Sequence, residues 1–358
     1  MQIHPAGETG RADGSTMAKK RNKKTNKKKR SKRESGRRRL FRILSLDGGG
    51  IRGVMTAWWL MQLEKRLGTP AADCFDLIAG TSTGAILGSA LSRREPAASI
   101  VDLYRTRGRE IFPSTAGRLW DRLGRTFSQG ISAPKYSDDG LESALRRTLR
   151  DTTLGDLDTS PRLLITTYNT ITRQAVVLKS WKPEHARVPL WEAAKASCSA
   201  PTFFPAHVTD MLGANAPLID GGVVANNPAG CAIAEGVKLN RGRGAIPLSR
   251  FVVASFGTGE STRPITMKQA QEWGAVEWAI PVISVLMDGA ADATHYIARQ
   301  LIVPDQYVRL DTRLDKAFDD LDDASTTNIE ALLNLAQDYL RSGGGNAELD
   351  RAAALVQR

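Results

Sequence analysis

The chain has 358 residues, 41% hydrophobic and 25% charged, which is enough for one large domain with a buried core and excludes a wholly disordered protein. Lys and Arg outnumber Asp and Glu by 50 to 38, but residues 1–40 alone hold 15 basic and 3 acidic side chains, so the excess belongs to an appendage and the body is neutral overall. Three cysteines, Cys74, Cys198 and Cys231, are far apart and lack C-x-x-C spacing, which speaks against a disulfide scaffold and a zinc module.

The first 39 residues read as a disordered basic tail. From Lys19 to Arg39 no apolar side chain occurs, so nothing offsets the entropy of ordering. No apolar run of a secretory signal follows, and the body is expected in the cytoplasm, with peripheral contact to membrane as an option. Such a tail either stays solvated or lies on anionic lipid, at about 1 kcal/mol per basic residue, or on nucleic acid phosphates. It has no aromatic residue for base stacking, so specific nucleic-acid binding is not expected.

The body alternates short apolar runs with helical patterns. Residues 41–46 read as a strand, followed by a glycine turn and a helix over 54–67; a strand over 75–79 leads through Gly80-Thr81-Ser82-Thr83-Gly84 into a helix over 85–91. Further strands are expected at 162–168, 174–180, 217–219, 251–256 and 307–310, with helices near 138–150, 190–198, 227–239, 267–301 and 326–342. This spacing predicts a three-layer α/β/α fold with a mainly parallel central sheet covered on both faces. No stretch of 18 apolar residues exists, so no transmembrane helix is expected. The apolar segment 273–302 reads as a core helix or as a wall or lid for acyl chains.

Three motifs carry chemistry. In the G-x-S-x-G of residues 80–84, Gly80 and Gly84 permit a tight turn that thrusts the Ser82 hydroxyl out above the strand ends, with Thr81 and Thr83 beside it. An ordinary Gly-Ser turn is the alternative. Asp47-Gly48-Gly49-Gly50-Ile51-Arg52-Gly53 also stands at a strand end and opens a helix, and its glycines let backbone N–H groups converge on an anion such as a tetrahedral oxyanion. The same residues satisfy G-x-G-x-x-G, but the next strand lacks the terminal acid of a dinucleotide site. Third, Asp220-Gly221-Gly222 places a carboxylate at a strand end, either as a proton acceptor or as the first residue of a β-turn.

A serine hydrolase ordinarily uses histidine as base. His4 lies in the tail and His185 in a polar loop; His207 and His295 remain as members of an alternative triad, but neither follows a strand beside a turn. Asp220 would then be the base, which requires desolvation to raise its proton affinity.

DGGGIRG, GTSTG about thirty residues later and a distant DGG together resemble the patatin-like phospholipases. The segments at 196–207, 220–229, 255–260 and 321–333 look like patatin segments in the same order. The resemblance covers about 40–342 and leaves 343–358 as a C-terminal extension; the basic tail has no counterpart. It implies a Ser-Asp dyad of Ser82 and Asp220, an oxyanion hole from Gly49, Gly50 and their neighbours Gly48, Ile51 and Gly53, and Arg52 near the substrate head group. The implied activity is phospholipase A type acyl hydrolysis at a membrane surface, without metal or other cofactor. The acidic cluster Asp319, Asp320, Asp322 and Asp323 lacks EF-hand spacing and is read as a helix start rather than a calcium site. A gated or silent effector of the same fold, such as those switched on by a nucleotide, is the alternative. Oligomeric state is not readable from the sequence.

Overall fold

The computed structural model describes residues 39–112, 136–213, 215–242, 244–278, 281–315, 320–342 and 344–357. The basic tail, apart from Arg39, lies outside the described residues. Among those described, eight strands form one sheet: β1 (Phe41–Leu46), β2 (Leu77–Thr81), β3 (Arg162–Asn169), β4 (Gln174–Lys179), β5 (His207–Thr209), β6 (Ala216–Asp220), β7 (Phe251–Phe256) and β8 (Tyr307–Leu310). Their order is β5-β6-β3-β2-β1-β7-β8, with β4 also on β3. The centre is parallel, as expected, in the pairings β3-β2, β2-β1, β1-β7 and β7-β8. Antiparallel pairings of β3 with β4 and β6, and of β5 with β6, make the sheet mixed.

Among the described residues the α-helices are α1 (Gly53–Leu67), α2 (Thr83–Ser92), α3 (Ala97–Ile111), α4 (Asp139–Leu149), α5 (Leu190–Cys198), α6 (Gly222–Ala225), α7 (Ala229–Leu239), α8 (Met267–Glu272), α9 (Ala275–Trp278), α10 (Pro281–Leu301), α11 (Thr326–Arg341) and α12 (Gly344–Gln357). Central strands are mostly apolar because both faces are covered. In β1, Leu44 and Leu46 enter one core with α1 to α5, α11 and α12, whereas Phe41 and Ile43 enter a second with α7 and α10. That alternation is the period of two that makes three layers.

The feature that builds the site is the double use of one edge of β3. Residues 162–166 pair with β2, ending at Thr81 opposite Thr166. Residues 167–169 pair with β6, which ends with Asp220 opposite Thr167, while β4 spans both stretches on the other edge. Strands β2 and β6 therefore approach from opposite directions and stop on neighbouring rungs. Whatever follows Thr81 must meet Asp220.

Several elements differ from the sequence reading. The single helix expected over 267–301 is three, because Gly274 separates α8 from α9 and Pro281, which cannot donate a helix hydrogen bond, starts α10. Strand β5 and helix α3 were not anticipated. Within the C-terminal extension, Gly344–Gln357 form α12, whose Leu349, Ala352 and Leu355 are buried in the larger core.

Candidate active site

Ser82 occupies the turn between β2 and α2 at φ 53° and ψ −123°, a backbone region in which an L-residue is strained. Two observations show how the turn is held. The Ser82 amide donates to Ser197 Oγ at 2.7 Å, and the Ser197 hydroxyl donates to the Thr166 carbonyl at 2.7 Å. Thr81 Oγ1 donates to the Ala225 carbonyl at 2.6 Å, and Thr83 Oγ1 contacts the Tyr104 hydroxyl. The two flanking glycines are needed for close approach: a Cβ on Gly84 would run into the Leu46 carbonyl, and one on Gly80 into the carbonyl of Gly84.

Asp220 is 1% exposed. Its Oδ1 accepts from the Gly222 amide at 2.7 Å, and Oδ2 has no hydrogen-bond partner within 3.5 Å among the described residues. Burial pushes its pKa up to about 7, against the opposing effect of the Gly222 amide and the nearby Ser82 hydroxyl. The Ser82 hydroxyl and the carboxylate line the same cleft, with Oδ2 not hydrogen-bonded among the described residues, a looseness common in sites without substrate. Gly221 lies against the Thr166 carbonyl, leaving no room for a side chain.

The glycine loop supplies donors. The Asp47 amide bonds the Phe256 carbonyl, Gly48 the Asn226 carbonyl, Ile51 the Leu321 carbonyl and Arg52 the Gly49 carbonyl, and Gly53 caps back onto Gly50 and Ile51. The amides of Gly49 and Gly50 alone make no such bond among the described residues of the loop. Gly50 has φ +57°, and a Cβ there would strike the Leu321 carbonyl. Arg52 does not line the cleft. It is buried, and its Nε donates to the Gly49 carbonyl at 3.3 Å. Because the peptide is planar and trans, a Gly49 carbonyl held toward Arg52 turns the Gly50 N–H the other way.

Ser82, Asp220, Gly49, Gly50 and Thr83 line one cleft of about 540 Å³ including its open mouth. The remaining wall is mostly apolar: Ile86, Ile111, Phe112, Leu141, Phe203, Phe204, Met287 and Leu321, with Tyr104 and Cys198. Met287 comes from α10, so the segment 273–302 contributes one side chain to the wall of the cleft, while its Ile283 and Ala298 are buried and its Leu286 and Tyr296 are exposed. Ile280 lies outside the described residues.

The histidines are engaged elsewhere. His207 Nε2 lies 3.2 Å from Glu192 Oε1, His295 Nδ1 is 2.8 Å from the Tyr307 hydroxyl, and His185 Nδ1 accepts from the Lys179 amide at 3.0 Å. None of the three lines the cleft, and His4 is outside the described residues. In the acidic cluster, Asp322 accepts from the Tyr136 hydroxyl and Asp323 from the Ser325 amide at 3.0 Å, at the start of α11. Asp319 is outside the described residues. Among those described, no group of three or more His, Cys, Asp or Glu side chains is placed to hold a metal ion.

Four residues around the site carried no role in the sequence reading. Ser197 and Cys198 fall in a segment that looked family-like, but only the register showed that they abut Ser82; burial pushes the Cys198 thiol well above its usual range, and the Asp220 charge adds to this. Asn226 follows the Asp220 motif. Arg309 on β8 bonds Asp47 at 2.8 Å, Asp311 at 2.5 Å and Ser255 at 2.9 Å, tying three strand ends beneath the glycine loop. Burial works against its charge, but the two carboxylates outweigh burial and hold its pKa above the usual guanidinium value. Arg309→Met would leave two carboxylates buried without their partner. It is expected to cost about 3 kcal/mol, read as a lowered urea midpoint; an unchanged midpoint would show the network to be dispensable.

The architecture and the cleft define a class of protein: an α/β/α fold with a strained serine and a buried carboxylate facing an apolar pocket. Residues 44–233 match the patatin-like phospholipase family. The chain is 32% identical over 341 residues to patatin-like protein 1 of Arabidopsis thaliana, covering 84% of this chain and 81% of that protein. It is 29% identical over 358 residues to patatin-like protein 3 of the same plant, covering 87% and 83%. Among solved structures, VipD from Legionella pneumophila aligns at TM-score 0.34 and 11% identity over 89% of this chain and 74% of that one, too weak a likeness to carry weight. The chain belongs to the patatin-like phospholipase family.

Proposed function

We propose that this protein is a lipid acyl hydrolase of the phospholipase A type, in which Ser82 is the nucleophile and Asp220 its proton acceptor. The observation that supports this most is the meeting of β2 and β6 on adjacent rungs of β3, which brings a strained hydroxyl and a buried carboxylate into one apolar cleft. As Ser82 Oγ adds to a fatty-acyl ester carbonyl, its proton passes to Asp220. The carbonyl oxygen becomes anionic beside the unpaired amides of Gly49 and Gly50, each worth about 3 kcal/mol of barrier if aimed at that oxygen. The intermediate collapses with Asp220 returning the proton to the leaving alcohol. Water then adds to the acyl-serine by the same route in reverse and releases the fatty acid.

A carboxylate is a weak base for a hydroxyl at its ordinary pKa, and burial is what corrects this. At about 7, Asp220 is still ionised in a useful fraction near neutrality and holds a proton some three orders of magnitude better than an exposed aspartate. The substrate class follows from the wall, whose aromatic and aliphatic side chains suit an acyl chain rather than a polar acid. We place the reaction at a membrane surface on the cytoplasmic side, with the basic tail as an added contact to anionic lipid. Among the described residues no helix is long and apolar enough to cross a membrane.

The test is incubation with mixed phospholipids and identification of products by mass spectrometry, with a fluorophosphonate probe to report the nucleophile. Free fatty acid with lysophospholipid, and a probe adduct on the peptide containing Ser82, are expected. Release of phosphorylated head group instead, or an adduct elsewhere, would overturn the assignment.

A further inference from the structure

Asn226 is 4% exposed, and its side-chain oxygen has no hydrogen-bond partner among the described residues. A buried amide oxygen without a donor pays its desolvation without return, so the position suits a polar partner. The place is specific. A Cβ on Gly48 would run into Asn226 Oδ1 and lie 3.2 Å from Ser82 Cβ. A Cβ on Gly222 would lie 3.1 Å from Asn226 Oδ1, 3.1 Å from Asp220 Oδ1 and 2.9 Å from Met287 Cε. The amide oxygen therefore neighbours Ser82 across Gly48 and the Asp220 carboxyl across Gly222, two residues that have no side chain. The backbone carbonyl of Asn226 accepts from Gly48 at 3.0 Å, which fixes the residue to the glycine loop.

Two buried acceptors near the serine thus have no partner among the described residues: Asn226 Oδ1 and Asp220 Oδ2. A pair of acceptors is what a water molecule, with two hydrogens to give, can bridge. We infer that Asn226 positions the hydrolytic water of the second half-reaction, holding one hydrogen while Asp220 takes the other. The inference rests on the Ser82 and Asp220 assignment above. Before acylation the Ser82 hydroxyl is the proton source facing Asp220; once it is esterified that hydrogen is gone and Asp220 Oδ2 is open to water. The water oxygen adds to the acyl carbonyl as Asp220 removes one of its protons. Collapse of the intermediate breaks the bond to Ser82 Oγ, which recovers the proton from Asp220, and the fatty acid leaves.

A group that serves only the water separates the two half-reactions. With a p-nitrophenyl ester, Asn226→Leu is expected to retain the burst of p-nitrophenol and the rate of fluorophosphonate labelling within about threefold, whereas the following steady state slows about 100-fold, the size of effect a misplaced reactant produces. The acyl-enzyme then accumulates and is seen in the intact mass, and methanol raises turnover by forming the methyl ester. Labelling at the normal rate also shows that the variant is folded; Asn226→Ala is the second variant should the leucine not fit. Equal loss of burst and steady state would overturn the inference by making Asn226 an orienting partner of the dyad, and so would wild-type deacylation. If Ser82→Ala itself still hydrolyses the ester, the assignment beneath it fails instead, which is a separate outcome.

Discussion

Asp220→Asn is expected to lose turnover by about a thousandfold or more while the protein becomes more stable at pH 8. The activity loss follows from removing the proton acceptor for both half-reactions. The stability gain follows from linkage. The folded pKa of about 7 lies above the ordinary 3.8, so between those values the native state binds more protons than the unfolded chain. Stability contributed by this carboxyl is therefore greatest in acid, declines as pH rises from about 4 to about 7, and is lowest above 7. The three-unit gap corresponds to about 4 kcal/mol of burial cost at pH 8. An asparagine avoids that cost but leaves one buried amide group unpaired, for about 1–3 kcal/mol, so a net gain of about 2 kcal/mol remains. Asp47, also pushed by burial to about 7 despite Arg309, is present in both proteins, and the difference between them isolates Asp220. Melting temperatures at pH 5 and pH 8 would show the advantage of the variant shrinking in acid. The same ionisation predicts that wild-type kcat/KM rises with pH to a plateau above about 7. A variant less stable than wild type at pH 8, or a rising limb abolished by His207→Ala, would remove Asp220 from the role of base.

Much of this site was legible because its parts are local. The glycines around Ser82, the run Gly48 to Gly50 and the pair after Asp220 each announce a tight strand-end turn, and the apolar runs of β1, β2 and β7 announce a covered sheet. Helix α3 is legible too: its buried Ile100, Leu103, Tyr104 and Ile111 follow helical spacing. The rest had no local signature. That β6 continues the line of β2 along β3 is a matter of register, which a strand of five residues does not declare. Arg309 reads as one more charge on an apolar strand until β8 places it beside Asp47, and Asn226 carries no local signal until Gly48 and Gly222 close on it. The contact of Arg52 Nε with the Gly49 carbonyl was equally unreadable, because it depends on the short helical turn after Gly49.

Ser82→Ala and Ser82→Gly are both expected to reduce hydrolysis by about 10⁴-fold or more, since neither offers an oxygen to acylate. They should differ in stability. The conformation at φ 53° and ψ −123° costs a residue with a Cβ about 1–3 kcal/mol, and alanine bears that cost as serine does. Glycine does not, although its freer unfolded state gives back about 0.5–1 kcal/mol. Ser82→Gly should therefore be the more stable of the two by about 1 kcal/mol, read from urea midpoints at constant slope. The sign is informative because in an ordinary helix start alanine would be favoured over glycine. A less stable Ser82→Gly would mean that the turn is not held in this conformation in solution, and the hydroxyl would then owe its exposure to something other than backbone strain. Retained turnover in either variant would show that another group carries the acyl chain.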